Sequence, residues 1–279
     1  MQNSCKKGCR MDQVYLWVML IAACVPGIWL ISRFSVNDLF KMPENKLSKR
    51  ALLVLLTGQT IAIVAVCAAA GIYFGPKIGI ADQFLNGLSR GKADWNDLIR
   101  QLWIGAIAGI VCIFCWMACY YGFIRARIDR ESVLIAEGLR QNLGLMTRIT
   151  SGGITEEIIF RWGLLSFVMW LISLMESSQP IAFWTATIIT GILFGLAHLP
   201  GNLQKGCKPS PMLISSAVLG NLWVTIVCGY LLWQYGLIAA IVVHILFHVI
   251  WYPLDRMAYN KLLGEQTPSI HIDHRSTHY

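Results

Sequence analysis

The sequence predicts an all-α polytopic membrane protein with about seven transmembrane helices and one interfacial amphipathic helix. Composition is the first reason: of 279 residues 56% are hydrophobic and only 14% charged, with a mean hydropathy of +0.57. A water-soluble domain carries about 25% charged residues, so this chain lacks the polar surface that a soluble globule needs. The second is the recurrence of uncharged apolar runs of about 18–25 residues, the length that crosses a bilayer core. The third is a stretch from Pro209 to Leu254 with no charged residue at all. At about 1.5 Å per residue it is roughly twice a bilayer core in length and must fold back once.

Taken in order, the predicted spans cover residues 14–31, 51–74, 102–124, 155–175 and 181–199, then two more within 209–254. Gly75-Pro76 breaks the second and Pro200 the fifth, while Gln234-Tyr235-Gly236 supplies the turn inside the last stretch. Residues 125–149 are punctuated by arginines, too charged to span, and read as the interfacial helix. The organisation follows as an accessory region of three spans and the interfacial helix (1–150), a chemistry-bearing transmembrane region (151–252) and a tail (253–279).

The basic start and the apolar run ending in Ile21-Ala22-Ala23-Cys24 resemble a lipoprotein signal, but apolar character continues past Cys24 to Ile31, which favours an uncleaved first span. The net charge of +8 fits Lys- and Arg-rich inner loops rather than nucleic acid, because no basic stripe interleaves with aromatics. With the amino terminus outside, fifteen Lys and Arg fall in inner segments and seven in outer ones, which sets the amino terminus out and the carboxyl terminus in. Six of the nine cysteines sit in apolar runs as small hydrophobes, and Cys112/Cys115 has no second pair with zinc-ligand spacing. Cys5 and Cys9 stand in the basic start, and His271, His274 and His278 in a polar tail read as lying outside the fold.

Of all the charged residues only Glu156, Glu157 and Arg161 fall inside predicted spans, and only His198, His244 and His248 among the histidines do. Buried ionisable groups in a membrane are costly and mark function. Because spans alternate in direction, the start of the fourth and the ends of the fifth and seventh share one membrane face. All three histidines and both glutamates then lie within about 14 Å of the same boundary. His244 and His248 share a helix face at i, i+4 spacing, as do Glu157 and Arg161, which form an expected ion pair. Glu156 points about 100° away from that pair and has no partner on its own helix. A lone carboxylate facing histidines suits water activation. Ser151-Gly152-Gly153 reads as a bend before the helix and Thr155 as its cap.

Glu156-Glu157-Ile158-Ile159-Phe160-Arg161 resembles the E-E-x-x-x-R motif of the CAAX-prenyl-protease-like and bacteriocin-processing intramembrane proteases. Phe194 to His198 is similar to their F-x-x-x-H motif, and residues 236–244 to their third block, so the resemblance covers roughly 150–252. It implies an endopeptidase in the cell membrane, of bacterial inner-membrane type, that cleaves a membrane-associated or lipidated protein or peptide near the cytoplasmic face. Glu156 would then be the water-activating base, supported by Glu157 and Arg161. His198 and His244 would be metal ligands or oxyanion-stabilising groups. The family has Asn or Asp where this chain has His248, which leaves that residue as a hydrogen-bonding group or a ligand. A ligand set of Glu156, His198, His244 and His248 would suit zinc or another divalent ion. Other readings are a proton-coupled transporter with these residues as a relay, a membrane cytochrome with axial histidines, and a catalytically silent immunity or scaffold protein.

Overall fold

The structure, a computed structural model, describes residues 2–42 and 44–265, with side chains from residue 11 onward. The side chains of Cys5 and Cys9 and the histidine-bearing tail lie outside the described residues. Everything described is helix or connection. Helix α1 spans Gln2–Leu39 and α2 Lys49–Phe74. A 3-10 turn, Gly75–Ile78, follows α2 and ends at Gly79 with φ 74°, so the predicted Gly75-Pro76 break is a real chain reversal. Helix α3 (Gln83–Ser89) is short; α4 (Trp95–Cys119) continues through a π turn, Tyr120–Ile124. Then come α5 (Arg130–Thr147), two π-helical stretches (Arg148–Thr155 and Glu157–Leu165) and α6 (Ser166–Ser173). The rest is α7 (Gln179–Ala197), α8 (Leu199–Gln204), α9 (Pro211–Gln234) and α10 (Leu237–Gly264).

Six helical stretches are long and apolar enough to cross a membrane: Met11–Leu39, Lys49–Ile78, Trp95–Arg127, Gln179–Gln204, Pro211–Gln234 and Leu237–Gly264. The fourth predicted span falls within the π-helical stretches and α6, whose polar start keeps it apart from those six. The turn in the charge-free stretch is at Tyr235-Gly236, as expected, and Gly236 takes φ 127°. Outward-facing side chains such as Val54, Val66, Trp103 and Ile107 are exposed, whereas Ile158, Phe183, Leu232 and Val243 are buried. A helical bundle with an apolar exterior is suited to lipid, which demands that backbone polar groups be satisfied within each helix.

Small residues let the helices approach closely. Gly105 and Gly109 of α4 lie against Val242 and Val243 of α10, and Gly191 and Gly195 of α7 lie against Leu222 and Val218 of α9. The amino-terminal helices are part of the same bundle: Gly27 of α1 abuts the Thr150 carbonyl, and Gly163 abuts Cys67 of α2. Predicted as interfacial, α5 also reaches inward. Its buried Glu137 accepts from Arg125 at 2.7 and 3.0 Å. Its Arg140 donates to Asp255 of α10 at 2.7 and 3.0 Å.

One expectation about local structure is corrected. Ser151-Gly152-Gly153 makes no bend, because helix runs unbroken across it, and Thr155 is no cap: its hydroxyl donates to the Thr150 carbonyl at 3.1 Å. The kink lies earlier, at Gly144, with φ 71°. The two glycines serve packing instead. A Cβ on Gly152 would stand 2.5 Å from His248 Nε2, and one on Gly153 2.6 Å from Ile245 Cγ1. Only hydrogen at these positions lets α10 lie this close.

Candidate active site

Glu156 and Glu157 lie next to each other in the helix but in different surroundings. Glu157 is fully buried, as is Arg161, whose Nη1 stands 3.4 Å from Glu157 Oε1. Arg161 is further held by Nη2 donating to Thr225 Oγ1 at 3.1 Å and by the Phe194 ring 4.3 Å from its Cζ. His244 Nδ1 is 2.6 Å from the same Glu157 oxygen. With a guanidinium beside it the carboxylate is the acceptor, so His244 donates from Nδ1 and keeps Nε2 for other use. The predicted Glu157–Arg161 pair is therefore the middle of a chain, Arg161–Glu157–His244, that fixes the imidazole.

Glu156 turns the other way. It is half-buried, makes no hydrogen bond or ion pair among the described residues, and lines a cavity of about 830 Å³. His198, His244 and His248 line the same cavity. Glu157 and Arg161 sit behind its wall. His198 occupies the junction between α7 and α8, where Pro200 in the first turn of α8 has no N–H to continue the α7 ladder. Its Nδ1 donates to the Phe194 carbonyl at 2.8 Å, leaving Nε2 as an acceptor. Aromatic packing holds these rings in place: Phe194 lies 4.8 Å edge-on from His198, and His244 and His248 stack 4.8 Å apart.

His248 accepts at Nδ1 from Arg148 Nε at 3.4 Å, so its Nε2 carries the hydrogen, over Gly152. Other polar residues line the cavity too, among them Arg148 and Asn221, which the span pattern does not single out. Arg148 was absorbed into the arginine-punctuated interfacial segment, although Arg148, Gly152 and Glu156 recur at four-residue spacing. Asn221 is an amide in the charge-free stretch, donating to the Ala217 carbonyl at 2.8 Å. Its signal was there to read, since an amide in an apolar helix needs a reason.

The fit of a metal can be judged from the donors. Among the described residues no three His, Cys, Asp or Glu side chains gather closely enough to hold a metal ion. His248 is flanked by a guanidinium at one ring nitrogen and by backbone at the other, and His244 gives Nδ1 to Glu157. The set Glu156, His198, His244 and His248 is thus gathered around a cavity without forming a ligand cluster.

Comparison with known proteins adds one finding. The protein-family model described as Type II CAAX prenyl endopeptidase Rce1-like matches residues 140–250. Searches of curated proteins and of solved structures gave no significant match. The matched segment begins at Arg140, ends within α10, and contains the two glutamates, the arginine and the three histidines. Over residues 140–250 the chain is thus similar to a CAAX-protease-like family.

Proposed function

We propose that the protein is an intramembrane endopeptidase that works through glutamate and histidine on a protein or peptide held at the membrane. The observation behind this reading is the convergence of Glu156, His198, His244 and His248 on one cavity, within the segment that matches a protease family. Glu156, free of partners, takes a proton from water, and His198 Nε2 accepts the second hydrogen and orients the oxygen. That oxygen attacks the peptide carbonyl carbon. His244, backed by Glu157 and Arg161, donates from Nε2 to the oxyanion in its protonated form. When the tetrahedral intermediate collapses, the C–N bond breaks and the proton held by Glu156 passes to the leaving amine. Zinc has no step here, since the donors form no ligand cluster.

The setting is a bacterial inner membrane with the amino terminus out, the carboxyl terminus in and cleavage near the cytoplasmic face. The experiment compares membrane peptidomes of cells carrying the wild type or Glu156→Gln at equal abundance. Fragments that vanish with the variant are expected and would identify the substrate; indistinguishable peptidomes would sink the reading.

A further inference from the structure

We propose that Arg148 selects the substrate by binding a carboxylate of the peptide in the cavity. The inference rests on the peptidase reading and adds what the substrate must carry. Arg148 lines the cavity, yet its side chain is only 4% exposed. Its Nε is used on His248 Nδ1, and the rings of Trp251 and Tyr252 each lie 5.6 Å from its Cζ. Nη1 and Nη2 are buried and have no hydrogen-bond partner. The nearest acid, Asp255 Oδ2, is 3.8 Å from Nη1, too far for a hydrogen bond. Asp255 is moreover engaged by Arg140 at 2.7 and 3.0 Å and by Gln141 at 3.1 Å.

A guanidinium is not deprotonated in proteins, so Arg148 keeps its charge at neutral pH. A buried cation with two unspent donors is costly unless something accepts from them. The planar edge formed by the two Nη groups matches the two oxygens of a carboxylate. The other cations around the cavity are spent or solvated: Lys205 pairs with Asp38 at 2.6 Å, Arg140 with Asp255, and Lys41 is exposed. Arg148 stands two turns from Glu156 on the same helix, at most about 12 Å along the axis at about 1.5 Å per residue. One bound peptide reaches both. A lipid phosphate is the competing anion, but the neighbouring base and histidines are equipped for a peptide bond.

The test uses the purified full-length chain in neutral detergent at pH 7, with two probes: N-acetyl-trileucine as the free acid and as its carboxamide. Binding is titrated on wild type, Arg148→Gln and Arg148→Lys, each also in a Glu156→Gln background so that no cleavage is needed. The acid is expected to bind about tenfold tighter than the amide, the scale of one charge-assisted hydrogen bond. Arg148→Gln should abolish that preference. Arg148→Lys, which keeps the charge if the first variant fails to accumulate, should weaken it. Equal affinity of wild type for the two probes, or no binding of either, overturns the proposal. So does stabilisation by phosphatidylglycerol that depends on Arg148 without any acid preference. A Glu156-independent peptidome beside an intact acid preference would strike the peptidase reading alone.

Discussion

Glu157 does not line the cavity, yet it fixes His244 and neutralises Arg161, two residues buried with it. A glutamine there can still accept from His244 but cannot balance the guanidinium, and an uncompensated buried charge costs about 3–5 kcal/mol. Glu157→Gln should therefore lower the melting temperature by on the order of 10 °C along with activity. Glu156→Gln, at a side chain with no partner, should abolish activity with a shift under about 2 °C. Matching thermal shifts for the two variants would contradict this division of labour. His248 is the departure from the family pattern, and it holds Arg148 through a 3.4 Å contact. If its role is that of a hydrogen-bonding group, His248→Asn should keep activity within about tenfold, since one hydrogen bond is worth roughly 1 kcal/mol. Kinetics together with metal content by mass spectrometry check it: stoichiometric metal in the wild type, lost in the variant along with activity, would make His248 a ligand.

The element that organises the site is the stretch from Arg148 to Leu165, where the backbone widens from α to π geometry. Such local widening is common at functional sites. It carries Arg148, Gly152 and Glu156 along the cavity wall and Glu157 and Arg161 behind it. Gly152 is the contact point with α10, so Gly152→Ala must displace the His248 ring, which would otherwise stand 2.5 Å from the new methyl. A Cβ on Gly58 of α2 meets nothing within 4 Å. Gly58→Ala should be neutral or stabilise by roughly 0.5–1 kcal/mol, while Gly152→Ala loses activity out of proportion to any loss of stability. Paired melting and cleavage measurements decide it, and full activity in Gly152→Ala would remove the packing role. Glycine before a helix and glycine inside one look alike in a sequence, which is why the pair read as a bend. Helix ends were equally hidden. The run at 102–124 sits in a stretch covering Trp95–Arg127, because charge-free counting sees the apolar middle and not the polar ends that continue in helix.

Across the whole molecule, the arrangement legible in the sequence was the one that depth dictates. Alternating spans bring the start of the fourth and the ends of the fifth and seventh to one face, and Glu156, His198, His244 and His248 do line one cavity. What depth does not encode is pairing between distant residues. Arg140 with Asp255, 115 positions apart, and Arg125 with Glu137 are invisible to hydropathy, which treats each charge as seeking water. Opposite that end, Asp82 Oδ2 accepts from the Ile238 N–H and Gln101 Oε1 from Ala239 N–H, satisfying the start of α10 where no side chain of its own can. The two ends also differ in which water they meet, and the orientation proposed above, from fifteen basic residues against seven, puts the cavity end inside. On a cysteine-free background, Lys92→Cys in the 75–101 connection should react with an impermeant maleimide in intact cells, and Lys46→Cys between α1 and α2 only after permeabilisation. Both positions are exposed, so access to reagent is set by membrane side rather than burial. The opposite labelling pattern would invert the protein in the bilayer and move cleavage to the outer face. The cavity would keep its residues in either case, because their common depth follows from the alternation of helices and not from which side the charges choose.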